Sequence, residues 1–332
     1  MPDLPATYGG ATFTQRAASH ADDVAASQHW RRVGVCDEVS PLREVLLATP
    51  PDSLGEIDDP DAALMLGIPD LGAMRTQLRA LATAYAAEGI TVHTHDARQA
   101  PPNVVFMRDL VFTTQEGCAV GRPASPVRAG EAPVAQEALA RIGVPLLGVP
   151  RGMATFEGAD ALWLDADNLL VGLGTRTNRA ALSWLRQLVG PTVHIHPIPL
   201  PRGTQHLLGI VAFVDHDLAV VDQARLPYVL RRLLQAHKIA LIELPETQQL
   251  RVGRGMNIVT TAPRRVVMPA GCPDIAAALK AHGVHAREVD VSAFLVAGGA
   301  MGCMTAILRR EAVGGTATQG RAPRSGASAD GT

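Results

Sequence analysis

Apolar and polar positions recur along this chain in a strand, tight turn, strand order. Ala161–Leu164, a polar turn at Asp165–Asp167 and Leu169–Gly172 predict two paired strands, and Asn178–Val189 predicts a helix after them. The order repeats at Ile210–Val214, Asp215–Asp217 and Leu218–Val221, followed by helical sequence from Leu226 to Ala236. An earlier copy reads Leu110–Thr114, Gln115–Gly117 and Cys118–Gly121. A later one reads Asn257–Thr261, Pro263–Arg265 and Val266–Met268, with a helix at Pro273–His282. The turns lie roughly 50 residues apart, a spacing that points to modules stacked or set in a ring. Partial copies at Leu42–Leu47 and Ala293–Val296 bring the set to five.

The flanks lack this pattern. Residues 1–32 are polar and rich in small residues and read as a loosely held arm, and residues 313–332 read as a disordered tail. The expected body is a single catalytic domain over residues 33–312.

Composition narrows the class. With 47% hydrophobic and 19% charged residues the balance is that of a globular protein. A formal net charge of -2 gives no electrostatic footprint for nucleic acid or an anionic membrane, so neither is an expected partner. Cys36, Cys118, Cys272 and Cys303 are too widely spaced for a zinc site or a disulfide framework. The first residues lack a signal-peptide pattern, and a cytoplasmic, reducing compartment is expected. No cofactor or metal is called for.

Four side chains carry the candidate chemistry. Cys303 follows closely spaced glycines in Ala297-Gly-Gly-Ala-Met-Gly-Cys303, where backbone and ligand can approach a thiol without a Cβ in the way. Taken alone, a free cysteine is as readily a small buried apolar residue. Asp109 and Glu157 end or follow apolar stretches, where an acid must be solvated, paired or used on a ligand. His206 in Gly203-Thr-Gln-His206 stands in a similar setting.

Read in order, these segments resemble the guanidine-modifying pentein family of dimethylarginine dimethylaminohydrolases, arginine deiminases and amidinotransferases. The series runs Pro41-Leu-Arg-Glu-Val-Leu-Leu, Phe106-Met-Arg-Asp109, Pro126-Val-Arg-Ala-Gly-Glu131, Phe156-Glu-Gly-Ala-Asp160 and Gly172-Leu-Gly-Thr-Arg-Thr-Asn178. His206-Leu, Met256-Asn-Ile-Val and Gly298-Gly-Ala-Met-Gly-Cys-Met-Thr305 complete it. The resemblance implies an α/β, five-bladed propeller of ββαβ modules around a central channel. It makes Cys303 the nucleophile and His206 the general acid and base. Asp109 and Glu157 would grip the substrate guanidinium, and Arg128 and Arg176 would bind its α-carboxylate. Asp160 would stand near the substrate's amino end or support the loop. The partner is then a small-molecule guanidine, and a homodimer is compatible with the family.

Departures from the pattern bear on the subfamily. Arginine deiminases carry His-Leu-Asp, whereas position 208 here is Leu, which suits a substituted nitrogen as in methylarginines. Ala159 stands where the family usually has a second glycine; were φ positive there, Ala would cost about 1 kcal/mol. The acidic stretch Glu56–Asp61 falls where the family carries a lid. His93 with His95, and His194 with His196, lack a third metal ligand and read as strand histidines. Gly253-Arg-Gly255 is too short for a phosphate loop. Three functions follow: an amidinohydrolase of methylated arginine giving citrulline and alkylamine, an amidinotransferase or arginine deiminase/dihydrolase, and a non-catalytic binding module of the same ring fold.

Overall fold

Each recurrent pattern folds as one small sheet. A computed structural model describes residues 4–311. Ahead of the first sheet, α1 (His20–Ala26) opens with Ser19 and Asp22 in a reciprocal capping box. Its Val24 is buried beside Val33, so part of the expected arm packs onto the body. The tail read at 313–332 lies outside the described residues.

The sheets are built from β1 (Leu42–Ala48), α2 (Leu71–Ala86) and β2 (Thr91–His95); then α3 (Met107–Leu110), β3 (Val111–Thr113), β4 (Cys118–Val120), α4 (Glu131–Arg141) and β5 (Leu146–Gly148). Next come β6 (Ala161–Asp165), β7 (Asn168–Leu173), α5 (Ala181–Val189) and β8 (His194–Pro199). They are followed by β9 (Val211–Asp215), β10 (Leu218–Asp222), α6 (Tyr228–Ala236), β11 (Ala240–Leu244) and α7 (Gln248–Arg251). The last unit is β12 (Val259–Ala262), β13 (Arg265–Pro269), α8 (Pro273–Ala281) and β14 (His285–Val289), and α9 (Ser292–Val296), α10 (Met301–Met304) and β15 (Ala306–Arg310) end the series.

In every sheet the middle strand pairs antiparallel with one neighbour and parallel with the other, the helix making the parallel crossover. Thus Ala161 faces Val171 across the β6–β7 hairpin while Asn168 aligns with His194. The first sheet is assembled from both ends of the body, with β15 antiparallel to β1. The sequence expected Ala293–Val296 to supply this copy; that segment is helical α9, and β15 takes the place. A run of four apolar residues has no length with which to separate strand from helix.

Side-chain bonds between successive first strands close the circle. Trp163 Nε1 donates to Thr113 O, Thr113 Oγ1 to Ile307 O, Arg310 Nη1 to Thr260 O and Thr260 Oγ1 to Phe213 O. Leu207 N donates to Asp160 Oδ1, joining the remaining pair of modules. The fold is therefore the five-bladed α/β propeller, with β3, β6, β9, β12 and β15 innermost and largely buried. The Arg108–Glu38 pair and Arg310 line a cavity of about 30 Å³ among the first strands.

Candidate active site

One position recurs in every module: the one- or two-turn segment that delivers the chain into its innermost strand. Asp109 lies there before β3, Glu157 and Asp160 before β6, His206 before β9, Asn257 before β12 and Cys303 before β15. Circular symmetry turns residues distant in sequence into neighbours around one axis. Helix α10 packs on α3, which brings the loop of Cys303 against that of Asp109. A Cβ at Gly299 would stand 2.2 Å from the Phe106 ring, so that approach requires glycine.

Cys303 is 8% exposed and lines a chamber. Asn257 Nδ2 donates to its Sγ at 3.1 Å, and Asn257 Oδ1 accepts from its backbone N–H at 3.2 Å. Burial pushes the thiol above its ordinary range and Asp109 adds to the push, while Arg254 and Asn257 work against it. Asn257 had no role assigned from sequence. Its place in the repeat, shared with the other four, is the signal that finds it.

His206 is buried between two acids. Its Nε2 lies 2.7 Å from Glu157 Oε2, and its Nδ1 lies 3.7 Å from Asp109 Oδ1. Burial alone would lower its pKa, but Asp109, Glu157 and Asp160 outweigh that and raise it to about 9. The imidazole is thus a cation at neutral pH. Burial would likewise raise Glu157, yet His206, Arg128 and Arg176 hold it well below the usual carboxylate range. Asp109 Oδ1 is buried and accepts no hydrogen bond, and Asp160 Oδ2 and Thr204 Oγ1 nearby are likewise without a partner.

The two arginines differ. Arg176 is partly exposed and only loosely joined to Glu157, at 3.3 Å. Arg128, expected at the carboxylate of a substrate, is 2% exposed and turned inward. Its guanidinium meets Asp109 at 2.7 Å, Glu157 at 3.3 Å and Glu131 at 2.7 Å. The physical cause is Glu131, one turn away and fully buried, whose charge needs a cation. Asp160 also faces inward. It holds the Leu207 N–H, and burial raises its carboxyl to about 6 although His206 and Thr177 oppose the shift. It supports the loop that carries His206. Ala159 is not in the left-handed region, so the strain expected there does not arise.

Two chambers lie beside this cluster and are bordered by His206, Cys303, Arg128 and Arg176, with Asp109, Glu157 and Asp160 buried behind them. One, of about 370 Å³, is lined by Cys303, His206, Leu208, Asp222 and Arg225. The other, of about 330 Å³, is lined by Arg128, Arg176, Phe106 and Asp61. Leu66, Gly203, Thr204, Gln205 and Arg254 border both chambers, which makes them neighbours in one cleft region. Asp61, from the stretch read as a lid, thus stands at the rim. Asp109, Glu157 and His206 place ligand atoms within 4.8 Å of one another, a spacing that a metal ion could use. The Arg128 guanidinium already pairs with both carboxylates there. His93 is bonded to Glu44 and His196 to Asn168, away from the cleft. No described helix is long and apolar enough to cross a membrane.

A family model described as arginine deiminase matches residues 71–226, which takes in Asp109, Arg128, Glu157, Asp160, Arg176 and His206 and stops short of Cys303. The chain is 26% identical over 243 residues to the N(G),N(G)-dimethylarginine dimethylaminohydrolase of Streptomyces coelicolor, covering 72% of this chain and 88% of the other. Among solved structures it is similar to the dimethylarginine dimethylaminohydrolase of Pseudomonas aeruginosa, a cysteine-to-serine mutant with citrulline, at TM-score 0.67 and 21% identity over 82% of this chain and all of the other. It is also similar to an amidinotransferase of saxitoxin biosynthesis from Microseira wollei, at TM-score 0.68 and 16% identity over 84% of this chain and 97% of the other.

Proposed function

Because the chain belongs to the guanidine-modifying pentein superfamily, we propose that it is an amidinohydrolase that attacks the guanidinium carbon of an arginine derivative through Cys303, with a methylated arginine as substrate and citrulline and an alkylamine as products. The observation that carries this reading is the open Oδ1 of Asp109, a buried anionic acceptor beside His206 and near the thiol. A guanidinium N–H is the donor that such a site lacks.

The steps follow from the protonation states. Asp109 and Glu157 orient the flat cation. Its positive charge beside Cys303 opposes the burial that keeps the thiol protonated, so the thiol loses its proton to solvent as the cation binds, His206 being protonated already. The sulfur adds to the central carbon, the bond to the substituted nitrogen breaks, and His206 gives that amine its proton. This leaves a covalent thiouronium and a neutral imidazole. His206 then takes a proton from water as the oxygen adds to the same carbon, and the C–S bond breaks to return the thiolate. Leu208, buried beside Cys303 and His206, gives the substituted nitrogen an apolar neighbour where an acid would grip an unsubstituted one.

One observation favours a second reading, amidino transfer. The chamber beside Cys303 runs past Leu208 to Asp222 and Arg225, and its 370 Å³ exceeds what a dimethylamine leaving group needs. An acceptor amine seated there would attack in place of water. Mass spectrometry of products from a guanidine panel, with and without acceptor amines, separates the two. Citrulline from asymmetric dimethylarginine, abolished in Cys303→Ser, supports hydrolysis; a new guanidino product that requires the acceptor supports transfer. A wild-type protein inert toward every guanidine defeats both.

A further inference from the structure

The segment between α1 and the ring is pinned at both ends. Arg31 N–H donates to Gly143 O at 2.8 Å, and Gly34 exchanges backbone hydrogen bonds with Leu308 and Arg310 of β15, each at 3.0 Å. It therefore lies at the end of β15 remote from Cys303. A cavity of about 500 Å³ opens there, lined by Trp30, Arg31, Arg32 and Arg309, with Glu44 as its acid. Glu44 is 6% exposed. Its Oε2 accepts from Arg31 Nε at 2.7 Å and its Oε1 from Arg309 Nε at 2.9 Å, while His93 Nε2 lies 3.1 Å from Oε2. Burial would raise this carboxyl, yet His93, Arg31 and Arg309 hold it down at about 2. Glu44 is thus an anion at any pH the fold meets.

Both arginines meet that carboxylate through Nε alone. Their terminal Nη groups make no hydrogen bond among the described residues, and Arg32 is exposed and outside every ion pair there. One buried carboxylate therefore holds two guanidinium groups side by side and leaves the outer donors of each unused. With Arg32, three guanidinium charges face one carboxylate, in a chain whose formal net charge is -2. Trp30 borders the same space and, at 42%, is the most exposed of the three tryptophans.

We propose that this cavity binds a nucleoside polyphosphate, its phosphate oxygens on Arg31, Arg32 and Arg309 and its base on Trp30. A polyphosphate is the anion chemistry because oxygens must reach three separate forks, more than a single carboxylate presents. An exposed indole offers a base a π-face whatever its sequence of ring atoms. The cavity shares no lining residue with the cleft, so the proposal stands apart from the amidino-group reading.

Calorimetric titration of the full chain with ATP, inorganic triphosphate and adenosine tests it, alongside tryptophan fluorescence. ATP should bind saturably at one site and quench the indole emission. Triphosphate should bind more weakly and without the quench, and adenosine at least about 10-fold more weakly than ATP. Trp30→Phe should abolish the quench while calorimetry still finds the nucleotide. Arg31→Gln should weaken ATP about 10-fold or more. Should its loss from Glu44 unfold the protein, Arg32→Gln breaks no ion pair of the fold and should still weaken ATP about 5-fold. No saturable binding at millimolar ATP overturns the proposal, as does adenosine binding as tightly as ATP. Triphosphate matching ATP with no quench, or an affinity unmoved by the arginine variants, overturns it as well.

Discussion

Asn257 holds Cys303 at two points, accepting the backbone N–H at 3.2 Å and donating to the sulfur at 3.1 Å. The grip is possible because residue 302 is glycine: a Cβ there would stand 2.9 Å from Asn257 Oδ1. One amide thus fixes both the backbone and the rotamer of the candidate nucleophile. Asn257→Asp keeps the acceptor, removes the donor and adds a negative charge, so the thiol pKa rises further. Iodoacetamide alkylation of Cys303 as a function of pH should shift to higher pH in this variant. An unmoved profile would show that the amide does not act on the sulfur.

His206 should remain an imidazolium through neutrality, because Asp109, Glu157 and Asp160 together raise its pKa to about 9 against the opposing effect of burial. NMR titration of the imidazole is the measurement, and a midpoint below pH 7 would contradict it. The folded value exceeds the unfolded value of about 6.5, so the group stabilises the fold fully below pH 6.5 and loses that contribution as pH rises through 9. The contribution is on the order of 3 kcal/mol. Glu157→Gln removes one acid, and the titration should then move to lower pH.

Arg128 gives the sharpest contrast between a ligand and a structural cation. Were it only a substrate contact, Arg128→Met would raise KM and leave stability alone. Buried among Asp109, Glu131 and Glu157, it should instead cost roughly 3–5 kcal/mol by leaving carboxylates uncompensated. Urea unfolding decides, and Arg128→Met with Glu131→Gln should recover part of the loss.

Asp109→Asn keeps the shape and removes the charge whose Oδ1 is open. Loss of a charged hydrogen bond and of the cation's counter-charge should lower kcat/KM by about 100-fold or more. Steady-state kinetics on the guanidine found active in the panel reads it. Activity within threefold of wild type would place the guanidinium elsewhere.

At Leu208 the prediction concerns selectivity. Leu208→Asp puts an acid beside the candidate nucleophile and base, where it can grip a second terminal nitrogen. Relative kcat/KM should move from methylated toward unsubstituted arginine. Unchanged selectivity in a folded variant would mean that this wall does not touch the nitrogen.

The repeat and the helices after the hairpins were legible in the sequence, because alternation and turn residues mark each module at one spacing, whereas the grouping of Asp109, Glu157, His206 and Cys303 was implied only by the family resemblance. Other features were not. Asn257 carries no titratable group and announces no chemistry by itself. The inward turn of Arg128 depends on Glu131 being sealed from water, which helix spacing permits but does not require. The segment at Ala293–Val296 reads equally as strand or helix until the glycines after it and the pairing of β15 with β1 are known.

Pairing between β1 and β15 has a temporal consequence. The sulfur sits three residues before the strand that stitches the circle shut, whereas the acids and the imidazole belong to blades already synthesised. During translation Asp109, Glu157 and His206 are therefore in place in the chain before the thiol is made. A chain halted before Ala306 would lack β15 and with it the pairing that joins the two ends of the body and positions the segment of Cys303.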